Sequence, residues 1–211
     1  MNPIRTTYLT ASAAAREVLG HPEVARRWDE PSTLQSFSIR GLAGHLVRAV
    51  GSTVAYLDRG DPDGAPITAA AYYAQAVETS DVDAALNVSV RERGEAEAKD
   101  GYQALIARYD EMSGDLQMRL ETESSDRKVR VYKDLVLLLD EYLVTRIIEL
   151  LVHTDDLAVS IGIPTPQPHE AAARLAIANL VEVALVRHGD TAVLRALTRR
   201  ERDAVDALRV I

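Results

Sequence analysis

Apolar side chains recur every three to four residues along most of the chain, which is the period of a helix with one buried face. The pattern predicts long helices over residues 4–19, 39–58, 81–121, 134–163 and 169–187, followed by a short helix over 190–198. No strand-like alternation extends beyond 129–131. The expected fold class is therefore all-α: an antiparallel four-helix bundle with extra C-terminal helices. Such bundles build cofactor and metal sites between facing helices.

Glycines and capping residues indicate where these helices end. Ser38 and Asp134 are expected to be N-caps, because their side chains can accept a hydrogen bond from the first helical turn. Gly94 and Gly101 lie inside the longest predicted helix and indicate either a close helix approach or a bend. Residues 67–79 are predicted to form either a shorter helix or an ordered crossover.

A proline-rich connection after Gly162 divides the chain into two predicted parts. Residues 1–163 are expected to form the helical bundle, and residues 164–211 are expected to form a helical extension packed on it. A homodimer formed through one face of the bundle is a further expectation.

The composition argues against several kinds of binding partner and reaction. The formal net charge of −8 argues against binding nucleic acid by neutralising its phosphates. The sequence has no cysteine, so disulfides, thiolate ligands and a protein thiol nucleophile are excluded, and any sulfur chemistry requires a thiol cofactor. No stretch reaches the ~18–20 apolar residues that span a bilayer, so we expect no membrane contact and a cytoplasmic location.

The predicted helix over 134–163 is polar along the line where a buried helix is normally most apolar. Its other faces are almost entirely apolar, and such a helix is buried. Ionisable groups are costly there unless they pair or hold a metal. The line therefore predicts either a buried salt network or a functional site. It consists of Leu135, Leu139, Tyr142, Arg146, Glu149, His153, Asp156 and Ser160.

Three residues are candidate metal ligands. Glu149 and His153 are four residues apart, so both side chains lie on one helical face and can reach one ion. His45, on the inner line of the helix predicted over 39–58, could supply a third ligand from across the bundle. Two imidazoles and a carboxylate suit zinc or another divalent first-row metal and leave a coordination position open. The alternative is an ion pair of Arg146 with Glu149 beside a His153–Asp156 hydrogen bond.

Two segments of the chain resemble a known family. The first is FSIRGLAGHL, residues 37–46, and the second runs from Arg146 to Gly162 and contains the candidate ligands Glu149 and His153. Together with Trp28, Pro31-Ser32 and residues 196–202, these segments resemble the N-terminal domain of mycothiol-dependent maleylpyruvate isomerase, in the DinB/YfiT-like superfamily. The resemblance extends over most of the chain.

The resemblance implies a DinB-like four-helix bundle with one divalent metal, and His45, Glu149 and His153 stand at the positions of the family's ligands. Zinc is the expected metal, with nickel, manganese or iron as alternatives, and mycothiol is the expected cosubstrate. The glutamate at position 149 is typical of the mycothiol branch. The isomerase has a second domain that contributes to its active site, whereas the residues after Pro168 are predicted helices. A related thiol transfer is therefore expected instead of maleylpyruvate isomerisation.

The expected activity is that of a metal-dependent thiol transferase or isomerase. A thiol bound to the metal loses its proton readily and can attack an electrophilic substrate. Arg146 is expected to orient Glu149 or to receive a substrate carboxylate, and Asp156 to hold the free ring nitrogen of His153 or the thiol cofactor. The alternatives are a non-catalytic metal-binding helical module and a metal-dependent hydrolase, which would need a general base near the open position.

Overall fold

The computed structural model describes residues 2–76, 83–203 and 206–211. Two short strands, β1 (Lys128–Arg130) and β2 (Val136–Leu138), pair antiparallel, and single 3-10 turns lie at Tyr132–Asp134 and Arg200–Arg202. The rest of the regular structure is helical, which confirms the all-α class. The helices are α1 (Pro3–Leu19), α2 (Pro22–Arg26), α3 (Ile39–Leu57), α4 (Ala69–Ala76), α5 (Ala85–Glu97), α6 (Tyr102–Thr122), α7 (Leu139–Ile161), α8 (Glu170–His188) and α9 (Asp190–Thr198).

Helices α1, α3, α8 and α9 begin and end within one residue of the predicted bounds. Local signals explain this agreement. At the start of α3, for example, the Ser38 hydroxyl accepts a hydrogen bond from the Gly41 backbone N–H at 2.9 Å. The sequence predicts a shorter helix or a crossover over residues 67–79. Helix α4 lies within this segment, and residues 77–79 lie outside the described part of the chain.

The prediction that Asp134 caps the helix with the polar line is wrong. Helix α7 begins at Leu139, and the residues before it form β2, a strand that the sequence pattern did not predict. Backbone hydrogen bonds to two other segments explain the difference. Strand β2 pairs with β1, and the carbonyl oxygen of Val136 also accepts a hydrogen bond from the Ile67 N–H at 2.9 Å. Asp134 itself has a φ of +57°, which is not the conformation of an N-cap.

The single helix predicted over 81–121 is also wrong, because Gly101 separates α5 from α6. Gly101 has a φ of +89°, which favours glycine. Gly94 instead allows α5 to approach α3 closely. A Cβ atom on Gly94 would lie 2.4 Å from the carbonyl oxygen of Gly41, and one on Gly44 would lie 2.1 Å from the carbonyl oxygen of Gly94. Gly101 thus provides the bend, and Gly94 provides the close helix approach.

Helices α3 and α7 pack against each other and place the polar line of α7 beside α3. Buried side chains of α1, α3, α6 and α7 form the main apolar core. A second apolar cluster joins α4, α7, α8 and α9 and includes Val210 near the end of the chain. None of the described helices is long and apolar enough to cross a membrane.

Candidate metal centre

Helices α3 and α7 bring together the three residues predicted as ligands. His45 lies on α3, and Glu149 and His153 lie one turn apart on α7. The Nε2 atoms of the two histidines are 3.1 Å apart. Oε2 of Glu149 lies 3.3 Å from Nε2 of His153 and 3.6 Å from Nε2 of His45. We call this group the ligand cluster; its candidate ligand atoms all lie within 4.8 Å of one another.

The separations within the ligand cluster fit one divalent cation. Zinc lies about 2.0–2.1 Å from nitrogen and oxygen ligands in tetrahedral sites, which places neighbouring ligand atoms roughly 3.3–3.4 Å apart. The separations of 3.1, 3.3 and 3.6 Å in the ligand cluster bracket that value. Two imidazoles and one carboxylate also leave a tetrahedral position open. Without a cation, the same atoms can form a hydrogen-bonded network, because a proton can lie between the two Nε2 atoms.

The Nδ1 atoms of the two histidines lie in different environments. Nδ1 of His153 lies 2.9 Å from Oδ2 of Asp156. In the neutral ring, a carboxylate there favours a proton on Nδ1, which leaves the Nε2 lone pair directed into the ligand cluster. Nδ1 of His45 is buried without a hydrogen-bond partner in the described residues. Asp156 thus lies where it can orient His153, while His45 makes its polar contacts through Nε2.

Tyr73 of α4 contacts the ligand cluster but is not among the site residues predicted from the sequence. Its hydroxyl donates a hydrogen bond to Oε1 of Glu149 at 2.9 Å, which leaves Oε2 to face the two histidines. In the sequence, Tyr73 is one of two adjacent tyrosines in an alanine-rich segment. No local signal distinguishes it from Tyr72, because its role depends on how α4 packs beside α7.

The pKa values of the ligand cluster reflect burial and mutual hydrogen bonds. Burial opposes ionisation of Glu149, but hydrogen bonds from His153 and His45 and the charge of Arg146 hold its pKa well below the usual range. Burial would lower the pKa of His153, yet hydrogen bonds to Asp156 and Glu149 raise it to about 9. Burial lowers the pKa of His45. At neutral pH, the cation-free cluster therefore contains an ionised glutamate, a protonated His153 and a neutral His45.

Arg146 lies one turn before Glu149 on α7 but forms no ion pair with it in the described structure. Its Nε donates to the hydroxyl of Thr145 at 3.0 Å, and its guanidinium lies over the ring of Tyr142, 5.0 Å from the centroid. The Arg146–Glu149 ion pair, which was part of the alternative to a metal site, is therefore absent from the described structure. The half-buried guanidinium instead lines a cavity.

The cavity beside the ligand cluster has a volume of about 490 Å³, within the range of small-molecule sites. His45 and Glu149 form part of its wall, and five tyrosines contribute to the remainder. Among the described lining residues, four side chains are cationic and one is a carboxylate, that of Glu149. The cavity is therefore positively charged although the whole chain carries −8. The four arginines are Arg48, Arg59, Arg93 and Arg146.

A family model described as the mycothiol maleylpyruvate isomerase N-terminal domain matches residues 8–158. This range contains the ligand cluster, Tyr73, Arg146 and Asp156. No curated protein and no solved structure matches the chain.

Proposed function

Since the chain belongs to the family of the mycothiol maleylpyruvate isomerase N-terminal domain, we propose that it is a metal-dependent thiol transferase or isomerase that uses a low-molecular-weight thiol such as mycothiol. One observation carries the proposal: an imidazole from α3 and an imidazole and a carboxylate from α7 meet at metal-ligand separations beside a cavity of about 490 Å³. The match to the family model gives the thiol as the cosubstrate to test first.

In this proposal, His45, Glu149 and His153 hold the cation. Zinc fits the two imidazoles and one carboxylate best, and nickel, manganese and iron are the alternatives to test. A bound divalent cation would supply the charge that lowers the pKa of a thiol in its open position. The thiol must come from a cosubstrate, because the chain has no cysteine.

The proposed reaction is the conjugate addition of the thiol to an electrophilic carbon. A sulfur–carbon bond forms, the S–H proton passes to solvent, and the electron pair of the attacked double bond moves to the adjacent carbon, which takes up a proton. If the adduct is released, the result is thiol transfer. If the same thiol is later eliminated, the double bond re-forms and the result is isomerisation.

Arg146 supports an electrophile that carries a carboxylate. Its guanidinium faces the cavity near Glu149 and has no carboxylate partner in the described residues. A guanidinium can bind a carboxylate through two parallel hydrogen bonds. The tyrosine ring beneath it further restricts the plane of the guanidinium. We therefore assign Arg146 to the substrate carboxylate and not to the orientation of Glu149.

Asp156 is proposed to position His153. Its carboxylate lies against Nδ1 of that ring, so it is not placed to bind the thiol directly. The same contact weakens the hydrolase alternative, which needs a free general base. Glu149 is engaged by both histidines and by Tyr73, and it is the one carboxylate among the described cavity-lining residues.

The helix contacts support a DinB-like antiparallel four-helix bundle. Helix α1 packs against α7, α7 against α3, α3 against α6, and α6 against α1, so these four helices form a closed ring of neighbours. We propose that residues 1–163 form this bundle and that residues 164–211 form an extension on it, since α8 packs against α4 and α7. We also propose that the protein is cytoplasmic and that it can form a homodimer.

Turnover with a matched pair of electrophiles tests the function. The zinc-loaded protein is incubated with mycothiol and either diethyl maleate, which is neutral, or monoethyl maleate, which carries one carboxylate. We expect each ester to form adduct or isomer above its uncatalysed rate, and we expect the acceleration to be larger for the monoester. Arg146→Met should remove that preference. If mycothiol protects the protein from unfolding but no product forms with either ester, the chain is a binding module.

A further inference from the structure

We propose that the C-terminal part of the chain holds the Glu149 side chain in place through Arg187 and Tyr73, so that docking of this part and cation binding stabilise each other. The inference rests on the metal centre proposed above and adds two positioning residues to it. Neither residue supplies a ligand atom. Tyr73 acts on the carboxylate of Glu149, and Arg187 acts on the backbone of Tyr73.

The Tyr73 hydroxyl fixes one oxygen of the Glu149 carboxylate. It donates to Oε1 of Glu149 at 2.9 Å and lies 3.1 Å from the carbonyl oxygen of Thr145. A phenol has one proton, and an ionised carboxylate is the stronger of these two acceptors. The side chain is 2% exposed, and a tyrosine hydroxyl keeps its proton at neutral pH, so it remains a donor. Oε2 is thereby left for the cation.

Arg187 of α8 connects the backbone of Tyr73 to the end of the chain. Its Nη2 donates to the carbonyl oxygen of Tyr73 at 2.8 Å, and its Nη1 donates to the carbonyl oxygen of Val210 at 2.6 Å. A guanidinium is a planar, rigid fork, so these bonds fix the spacing between α4 and the C-terminal residues. Val210 is 3% exposed and packs in the same apolar cluster as Tyr73.

The described part of helix α4, Ala69–Ala76, packs against two other helices. Helix α4 packs more extensively against α8 than against α7. The position of the Tyr73 hydroxyl relative to Glu149 is therefore set largely by how α8 docks.

Reciprocity follows from these contacts. If docking of α8 raises the cation affinity of the ligand cluster, cation binding must favour docking by the same factor. Helix α8 and Val210 lie outside residues 8–158, the range that matches the family model. The coupling therefore joins the matched domain to the segment that follows it.

The first test measures zinc affinity by competition with a chelator in Tyr73→Phe and Tyr72→Phe. Tyr72 is adjacent on α4 but makes no hydrogen bond to Glu149 in the described structure. Loss of a partner of a metal ligand typically costs about 10–100-fold in affinity, so we expect at least a tenfold loss for Tyr73→Phe and wild-type affinity for Tyr72→Phe. The visible spectrum of bound Co²⁺ should change in Tyr73→Phe alone. Equal zinc affinities and equal spectra for the two variants would overturn the inference.

The second test asks whether Arg187 acts through Tyr73. We expect Arg187→Gln to lower zinc affinity severalfold and the double variant with Tyr73→Phe to bind no more weakly than Tyr73→Phe alone. Arg174→Gln is the control, because Arg174 lies on the same helix and makes an exposed ion pair with Glu170. Wild-type affinity in folded Arg187→Gln, or additive losses in the double variant, would contradict the coupling.

Hydrogen exchange of the unmodified protein gives a readout that does not depend on a variant folding. Adding zinc should slow exchange in α8 and in residues 206–211, and no slowing there would overturn the inference. The proposed function fails separately: if His153→Ala retains zinc with wild-type affinity, the ligand cluster itself is wrong. If His153→Ala loses zinc while Tyr73→Phe binds it normally, the metal centre stands and this inference fails.

Discussion

Nδ1 of His153 lies 2.9 Å from Oδ2 of Asp156, on the side of the imidazole opposite to Nε2, which faces His45. Residues three apart on a helix lie on one face, so α7 itself holds this carboxylate against the ring. The contact fixes the ring orientation and, in the neutral ring, places the proton on Nδ1 and the lone pair on Nε2. Asp156 can therefore raise cation affinity without touching the cation.

Above pH 9, where His153 is neutral, replacing Asp156 by Asn should weaken zinc binding by about 10–100-fold, because the ring loses its charged partner while the three proposed ligands stay in place. Asp155→Asn is the matched control. Asp155 is adjacent on α7, but it is exposed and hydrogen-bonded to Thr165. Chelator competition measures both affinities, and equal values for the two variants would exclude Asp156 from the site.

Cation binding should depend on pH through His153. Without a cation, hydrogen bonds to Asp156 and Glu149 hold the pKa of this histidine at about 9, and only the neutral ring can bind a metal. Below pH 9 the cation must displace a proton, so the apparent affinity should rise about tenfold per pH unit from pH 7 to 9 and then level off. Calorimetry in buffers of different ionisation enthalpy should find about one proton released at pH 7 and almost none at pH 10. Binding without proton release at pH 7 would contradict this prediction.

The close approach of α3 and α5 should make Gly94→Ala destabilising. The added methyl group would lie 2.4 Å from the carbonyl oxygen of Gly41, so the helices would have to separate beside His45. Forcing extra volume into a packed contact costs typically about 1–3 kcal/mol in the free energy of unfolding. Urea denaturation measures this loss.

Gly114→Ala is the control for that measurement. Gly114 lies inside α6 and is exposed, and a Cβ atom there would meet nothing within 4 Å. Alanine should stabilise this helix by roughly 0.5–1 kcal/mol, because glycine loses more conformational freedom on folding. If Gly94→Ala proves as stable as Gly114→Ala, α3 and α5 do not pack as described.

The features that the sequence predicts correctly depend on residues close together in the chain. The bounds of α3 follow from its apolar period and the Ser38 cap, and the spacing of Glu149, His153 and Asp156 places them on one face of α7. The prediction that His45 faces them from another helix used its place on the inner line of that helix. The distances within the ligand cluster agree with these placements.

The features that the sequence does not predict depend on contacts between separate secondary-structure elements. Strand β2 interrupts a helical pattern because its backbone pairs with β1 and with Ile67. The contact of Tyr73 with Glu149 depends on the docking of α4 against α7 and α8. Neither the strand nor the Tyr73 contact depends on the spacing of apolar residues within one segment. The hydrophobic pattern of the sequence therefore does not predict them.

The zinc content of the purified protein, measured after dialysis by elemental analysis, shows whether the ligand cluster is a metal centre. The wild-type protein should retain about one zinc ion per chain, and His153→Ala should retain none, because two ligands hold the ion too weakly. His188→Ala removes an exposed histidine at the end of α8 and should retain zinc as the wild-type protein does. A folded wild-type protein that binds no divalent cation, even when zinc is added, would show that the ligand cluster is a hydrogen-bonded network and not a metal centre.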